Sequence, residues 1–236
     1  MIFRKNAIYQ TVVWLALVGC PISCSTAQGQ STQSPSVVVN TGHSDSAKAI
    51  AFASSGLWVA TMAGSSVKLW EVATGRLLRT LSGHSKNIES MAISPDGSRL
   101  VSCGEDGVNI WDTSTGALLH SIPPRVDPHG RGDTSQKMHP TGVAISHDGK
   151  TLFTLYFYGF VTRTDMQSGN ESRIFEIRRG YGDAKKSRGD ARPQGTAHSI
   201  ALSPDGQWFV VGYLEESGSG QIALYDAANG QAVRTR

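Results

Sequence analysis

The stretch that decides the fold occupies residues 83–112 and reads GHSKNIESMAISPDGSRLVSCGEDGVNIWD. Its short apolar segments are residues 91–93, 100–102 and 108–111. In the turn at residues 94–97, Pro95 presets the backbone of the second position and Gly97 accepts the exit geometry. The stretch therefore predicts successive antiparallel strands joined by tight turns.

The same unit occurs four times along the body of the chain. Its first turn lies at residues 53–56, 94–97, 146–149 and 203–206, and each copy ends in Gly. Its second turn contains Thr74-Gly75, Thr115-Gly116, Ser168-Gly169 and Asn229-Gly230. Four antiparallel strands joined by such turns form one blade of a β-propeller, so the sequence predicts an all-β propeller with four visible blades.

Two dipeptides in the first two units point to a family. Gly-His occurs at residues 42–43 and 83–84, and Trp before an acid occurs at Trp70-Glu71 and Trp111-Asp112. Both dipeptides repeat after 41 residues, and WD repeats have a period of about 40–45 residues. Over residues 36–236 the chain resembles the WD-repeat family of β-propellers. In the last two units, Thr164-Asp165 and Tyr225-Asp226 stand where that family has Trp-Asp.

The resemblance implies a hydrogen-bonded set of side chains inside a blade. In WD repeats, a His, a Ser or Thr, an Asp and the strand Trp form a structural tetrad, which gives the buried indole and imidazole nitrogens their partners. The second unit supplies the full set: His84, Ser102, Asp106 and Trp111. We expect this set to stabilise the blade rather than to bind a ligand.

The other units depart from this pattern. The first unit has His43, Thr61 and Trp70, but Ser65 or Ser66 replaces the acid. The third and fourth units lack the His and the Trp, so we expect them to depend more on packing. The candidates in the third unit are Phe153, Tyr156, Phe157 and Phe160.

The number of blades leaves the closure of the ring open. Rings of this family most often have seven blades, and propellers span about 4 to 8. Residues 36–41 form an additional predicted strand, where the family places the outer strand of the last blade. We expect a partial sequence of a larger, seven-bladed ring, with assembly of separate chains and an unusual four-bladed ring as alternatives. Blades without neighbours expose apolar faces.

The beginning of the chain has the pattern of an export signal. Arg4 and Lys5 precede an apolar run at residues 12–19, which is shorter than the roughly 20 residues that span a bilayer. Residues 1–19 therefore predict a signal peptide. The segment at residues 17–20, Leu-Val-Gly-Cys, resembles the lipobox of bacterial lipoproteins and implies lipidation of Cys20. The alternative is ordinary cleavage after Ala27, which yields a secreted protein.

The segment after this signal predicts a tether. Residues 20–35 carry no charged side chain and are rich in Ser, Thr and Gln. Such a composition buries too little apolar surface to offset the entropy of ordering. We expect an exported domain, periplasmic or held at the membrane by its lipid alone.

Composition limits the partners. The chain has 236 residues with 22 basic and 19 acidic side chains, a net charge of +3. So small an excess argues against a nucleic-acid binder, and the 39% of hydrophobic residues excludes a disordered chain. Cys103 is the one cysteine of the body and predicts a small buried side chain.

Two insertions interrupt the repeat, at residues 123–140 and 178–196. Both join the outer strand of one blade to the inner strand of the next, so they lie on one rim. The second contains six basic residues against two acids, a local charge of +4: Arg178, Arg179, Lys185, Lys186, Arg188 and Arg192. This cluster predicts a partner-binding patch, because loops on a rigid scaffold often carry recognition. A solvated loop without function is the alternative.

The sequence contains none of the catalytic motifs sought: no nucleophile elbow, zinc-peptidase helix, Walker loop or dinucleotide fingerprint. We therefore expect a non-enzymatic scaffold of the bacterial cell envelope that binds protein or peptide partners, with no cofactor and no metal. One alternative is the sensor or specificity propeller of a longer exported enzyme, such as a peptidase or kinase fusion. Another is a propeller that binds a small anionic ligand.

Overall fold

The computed structural model describes residues 42–126, 137–157, 159–177, 196–214 and 219–235. The chain divides into Met1–Ser36 and Val37–Arg236, and every described residue lies in the second unit. The predicted signal peptide, tether and Cys20 lie outside the described residues, as does the basic cluster at residues 178–192. In the described part of the chain, no helix has the length and apolar character needed to cross a membrane.

Every regular element in these ranges is a β-strand. Blade 1 contains β1 (Ala49–Phe52), β2 (Trp58–Ala63), β3 (Ser66–Glu71) and β4 (Leu77–Ser82). Blade 2 contains β5 (Ile88–Ile93), β6 (Arg99–Gly104), β7 (Gly107–Asp112) and β8 (Leu118–Ile122). A short hairpin follows, formed by β9 (Arg125–Val126) and β10 (Lys137–Met138).

Blade 3 contains β11 (Pro140–Ile145), β12 (Thr151–Tyr156), β13 (Phe160–Asp165) and β14 (Glu171–Glu176). Blade 4 contains β15 (Thr196–Leu202), β16 (Trp208–Leu214), β17 (Gly220–Asp226) and β18 (Ala232–Thr235). In each blade the four strands pair antiparallel in chain order. The prediction of an all-β fold built from four-stranded antiparallel blades is confirmed.

Glycine conformation explains why the turns recur. The last residue of each first turn has φ between 69° and 72°, at Gly56, Gly97, Gly149 and Gly206. The glycines of the second turns have φ between 69° and 79°, at Gly75, Gly116, Gly169 and Gly230. A side chain strains the backbone in this region, whereas glycine adopts it freely. Repeated glycines therefore fix where each strand ends.

An aspartate stabilises the first turn in three of the four blades. In blade 2, Asp96 accepts hydrogen bonds from the Ser94 hydroxyl at 2.6 Å and the Ser98 amide at 3.0 Å. These bonds lower the pKa of Asp96 to about 2. Asp148 and Asp205 accept the equivalent bonds in blades 3 and 4. The turn predicted from Ser-Pro-Asp-Gly thus has a side chain that satisfies its backbone.

Apolar side chains between neighbouring blades form the core, because a strand turns alternate residues to opposite faces. Leu69 and Leu81 of blade 1 pack with Leu100 and Trp111 of blade 2. Val108 and Ile110 of blade 2 pack with Val143 and Leu152 of blade 3. Phe153 and Leu155 of blade 3 pack with Phe209 and Tyr225 of blade 4. The blades are therefore held together by successive inter-blade cores.

Cys103 lies in the core between blades 2 and 3. It is completely buried, as predicted. Burial raises the pKa of its thiol, so the thiolate that reacts with oxidants and metals is disfavoured.

The first insertion has more structure than the sequence indicated. Where residues 123–140 predicted only a connection, β9 and β10 pair as a hairpin. Met138 packs with Tyr156 and Phe160 of blade 3, and Arg125 forms an ion pair with Glu171. Strands of two residues are too short to give a periodic pattern, which is why the sequence does not reveal them.

Candidate functional site

The predicted tetrad residues of blade 2 lie together in one chain of hydrogen bonds. The Trp111 indole N–H donates to the Ser102 hydroxyl at 2.9 Å. Ser102 lies 2.8 Å from His84 Nε2, and His84 Nδ1 lies 2.6 Å from the Asp106 carboxylate. Trp111 and Ser102 are buried, so these bonds replace the water that their polar atoms lose on folding.

The two ends of this chain of hydrogen bonds have a defined direction. An indole only donates and an ionised carboxylate only accepts, so the Ser102 oxygen accepts from Trp111 and the His84 Nδ1–H donates to Asp106. Burial alone raises the pKa of Asp106, but bonds from His84 and Ser85 outweigh it and lower that pKa. Bonds from both loops thereby stabilise the ionised form of Asp106.

Blade 1 contains the same arrangement without the acid. The Trp70 indole donates to the Thr61 hydroxyl at 2.7 Å, and Thr61 lies 2.8 Å from His43 Nε2. Ser65 occupies the sequence position of Asp106, one repeat of 41 residues earlier. Burial and the nearby Lys68 ammonium lower the pKa of His43. This lowering of the pKa favours the neutral form of the His43 imidazole.

Blade 3 replaces the tetrad by packing. Phe153, Tyr156 and Phe160 are buried, whereas Phe157 is half-buried, with its ring 5.1 Å from that of His139. Thr164 takes the place of the strand Trp opposite Leu152. Burial raises the pKa of Tyr156 to about 12, so its hydroxyl stays protonated.

Blade 4 uses a pair of tyrosines. Tyr225 stands opposite Phe209, the position that Trp111 has opposite Leu100. Its hydroxyl lies 2.8 Å from that of Tyr213, and its ring stacks on Phe209 at 5.1 Å between centroids. The sequence predicted reliance on packing here but not this hydroxyl pair, because tyrosines have no fixed spacing in such a repeat.

The tetrad of blade 2 also positions loops at one edge of the sheet. His84 lies in the connection between β4 and β5, and Asp106 lies in the turn between β6 and β7. Asp106 accepts further hydrogen bonds from the backbone and the hydroxyl of Ser85. Two separate loops are therefore fixed to each other by a single carboxylate.

A polar cleft of about 420 Å³ opens at this edge, between blades 1 and 2. We call it the loop cleft. Its lining residues are Asp45, Gly64, Ser65, Ser85, Lys86, Asn87 and Glu105. The amide of Ile88 donates to the Gly64 carbonyl at 2.9 Å and joins the two blades beside it. The cleft combines two carboxylates, one ammonium group and uncharged polar groups at the edge of two neighbouring blades.

Sequence reasoning missed the loop cleft. A usable signal was present, since Asp45 and Lys86 both lie two residues after a Gly-His dipeptide, and Glu105 precedes the tetrad acid. The predicted basic patch lies outside the described residues, so it stays a prediction. Within the described ranges, no group of three or more His, Cys, Asp or Glu side chains could hold a metal ion.

Comparison with known families identifies the first two blades. The family model described as WD domain, G-beta repeat, matches residues 35–71 and 75–112. Residues 35–112 carry WD40 repeats. The match supports membership of the WD-repeat propeller family. The hydrogen bonds of the Trp, Ser or Thr and His side chains in blades 1 and 2 agree with the tetrad expected for that family. A search of curated proteins gave no match to this chain. Blades 3 and 4, which depart from the WD40 pattern, lie outside the matched ranges.

Proposed function

We propose that the protein is an interaction scaffold that binds a protein or peptide partner at the loop cleft. WD40 domains generally mediate protein–protein interactions, and the family is typically non-enzymatic. The observation that supports this site is the position of the cleft, between loops that the tetrad of blade 2 holds in place. Asp106 holds two of the loops around the cleft in place, which lowers the cost of ordering these loops when a partner binds.

The chemistry of the lining indicates what a partner must offer. The Asp45 and Glu105 carboxylates of the lining can accept hydrogen bonds from basic side chains, and the Lys86 ammonium can donate to carboxylates or backbone carbonyls. Asn87 can both donate and accept. A peptide segment that carries a basic and an acidic residue close together satisfies all of these groups.

Location and attachment belong to the same proposal. A signal at residues 1–19 exports the chain, Cys20 carries a lipid and residues 20–35 hold the propeller away from the membrane surface. The basic cluster at residues 178–192 extends the contact area or draws acidic partners by its local charge. The support for these statements is the sequence pattern alone.

The experiment compares two charge reversals on opposite edges of the blades. Lys86→Glu changes the loop cleft, and Lys150→Glu changes a first turn at the other edge by the same charge. The immobilised full chain is exposed to envelope extract, and the retained proteins are quantified by mass spectrometry. We expect Lys86→Glu to lose at least one partner that Lys150→Glu retains. Identical sets of partners for both variants would remove the loop cleft from the proposal.

Attachment is tested separately. Cells that express the full chain are grown with a radiolabelled fatty acid, and Cys20→Ser provides the control. We expect label in the original protein and none in the variant. An unlabelled original protein overturns lipidation but leaves the binding site untouched.

A further inference from the structure

We infer that blade 1 binds a carboxylate group of another molecule beside His43, at the position that the Asp106 carboxylate has in blade 2. We assign this carboxylate to an acidic side chain of a peptide partner, and a free carboxylate ion is the other source. Only the choice between these two sources rests on the proposed function. The site itself is argued from the comparison of the two blades.

Blades 1 and 2 have the same register at the turn between their second and third strands. In both turns, two residues separate the members of the last ladder pair. The second of these residues is Ser65 in blade 1 and Asp106 in blade 2. Ser65 therefore stands where blade 2 has its tetrad acid.

In blade 2, two neighbouring residues donate hydrogen bonds to the Asp106 carboxylate. The donors are His84 Nδ1 at 2.6 Å, the Ser85 hydroxyl at 3.0 Å and the Ser85 amide. Hydrogen bonds to an ionised acceptor are stronger than those between neutral groups. This set of donors is therefore suited to a carboxylate.

Blade 1 has the same donor residues without an acid to accept from them. His43 and Ser44 stand one repeat of 41 residues before His84 and Ser85. His43 Nε2 lies 2.8 Å from the Thr61 hydroxyl, which is the bond that orients the imidazole in blade 2 as well. Among the described residues, no carboxylate forms an ion pair with the His43 ring. A carboxylate from another molecule can accept from Nδ1–H of this ring and from Ser44.

A cation beside the Gly-His dipeptide of blade 1 favours an anion at this position. Lys68 pairs with Thr61 across the ladder, and its ammonium group donates to the Gly42 carbonyl, directly before His43. Blade 2 has the uncharged Asn109 at the equivalent position. A nearby ammonium group stabilises the ionised form of a carboxylate. Blade 1 therefore has an additional cation where it lacks the tetrad acid.

The carboxylate of Asp45 also acts on His43, but it does not complete the tetrad. It lies over Gly64, where its Oδ2 is 2.6 Å from the position that a Cβ would have on this glycine. Burial lowers the pKa of His43, and Lys68 lowers it by more than Asp45 raises it. Residues 1–41, which lie outside the described ranges, contain no acidic side chain. The donors of blade 1 are thus left for a carboxylate from elsewhere.

The loop cleft gives a ligand access to this position. Ser65 is exposed and belongs to the lining of the cleft. A peptide bound in the cleft can therefore present an acidic side chain beside Ser65. The acidic residue of the proposed partner is thereby assigned to blade 1.

The first test titrates the full chain with sodium acetate, and sodium chloride at equal ionic strength is the reference. The His43 ring resonances are followed by heteronuclear NMR. We expect a saturable shift of the Nδ1 resonance with acetate and none with chloride. No shift with acetate overturns the inference.

A pair of serine variants tests the position of the bound acetate. Ser65→Asp should abolish the shift because its own carboxylate then accepts from His43. Ser55→Asp is the matched control, since Ser55 is exposed in a first turn where blade 2 has Asp96. Ser55→Asp should keep the shift. A shift that persists in Ser65→Asp overturns the inference.

Two further variants test the charges around the site. Lys68→Gln removes a cation and should weaken acetate binding, whereas Asp45→Asn removes an anion and should strengthen it. Both affinities come from the same titration. Equal affinities in the two variants, or the reverse order, overturn the inference.

The last test identifies the source of the carboxylate. Partners in envelope extract that depend on Lys86 are compared between Ser65→Asp and Ser55→Asp. Loss with Ser65→Asp alone assigns the carboxylate to the partner, and retention by both variants overturns that assignment in favour of a free ion. Absence of any partner that depends on Lys86 rejects the proposed function, while the acetate titration still decides the site.

Discussion

Blade 2 and blade 4 meet the same structural requirement with different chemistry. Trp111 and Tyr225 occupy equivalent strand positions, and each is buried with its polar atom satisfied. Blade 2 uses four side chains that end in a carboxylate, whereas blade 4 uses Tyr213 and the ring of Phe209. The difference teaches that this position needs a large aromatic side chain whose polar atom has a partner, rather than one particular residue.

The hydrogen-bond networks of blade 2 and blade 4 differ in how far they extend. The blade 2 network extends through His84 and Asp106 into two loops at the edge of the sheet. The tyrosine pair of blade 4 joins two strands of the same sheet. Substitutions in the blade 2 network should therefore affect both stability and the geometry of these loops. Substitutions in the tyrosine pair of blade 4 should affect stability.

The largest effect is expected from the aromatic anchor of blade 2. Trp111→Ala removes a fully buried indole and should lower the free energy of unfolding by about 3–5 kcal/mol. Urea denaturation followed by far-ultraviolet circular dichroism measures the loss. A loss near that of a surface substitution would contradict the core position of Trp111.

The next effect comes from the centre of the tetrad. His84→Ala takes one partner from Ser102 and one from Asp106, and it should cost about 1–3 kcal/mol. The melting temperature of this variant is compared with that of Lys86→Ala, an exposed change two residues later. Equal melting temperatures for the original protein and His84→Ala would show that the tetrad contributes nothing to stability.

The pH dependence of stability tests the contribution of the Asp106 carboxylate in blade 2. The pKa of Asp106 is lower in the folded chain than its ordinary value of 3.8. Its contribution is therefore fully present above that value and is lost as the pH falls through the folded-state pKa. Asp106→Asn should be less stable at neutral pH, and the difference from the original protein should shrink as the pH falls below about 4. A difference that is constant across the acid range would show that the charge of Asp106 has no role.

The smallest effect is expected in blade 4. Tyr225→Phe keeps the ring stacked on Phe209 and removes the hydroxyl that lies 2.8 Å from Tyr213. We expect a loss of about 1 kcal/mol, measured by the same denaturation. A loss as large as that of Trp111→Ala would mean that the hydroxyl, not the ring, stabilises this blade.

Much of the fold could be predicted because its signals are local. Glycines at fixed offsets, the aspartate turns and short apolar strands each depend on a few neighbouring residues, and the structure places strands at all four predicted units. His84, Ser102, Asp106 and Trp111 could be named because the first two units carry regular spacing. The β9–β10 hairpin, the loop cleft and the Tyr213–Tyr225 pair could not, since each joins residues that no repeat pattern links.

The sequence by itself determined the strands, the turns and the alternation of their side chains. It did not determine which apolar side chains become buried. Ile50 and Met91 have the same place in the same pattern, yet Met91 packs between blades and Ile50 is exposed. Alternation depends on the geometry of a single strand, whereas burial depends on whether another sheet lies against that face. Only the tertiary structure supplies that neighbour, and among the described residues no sheet lies against Ile50 of blade 1 or Ile222 of blade 4.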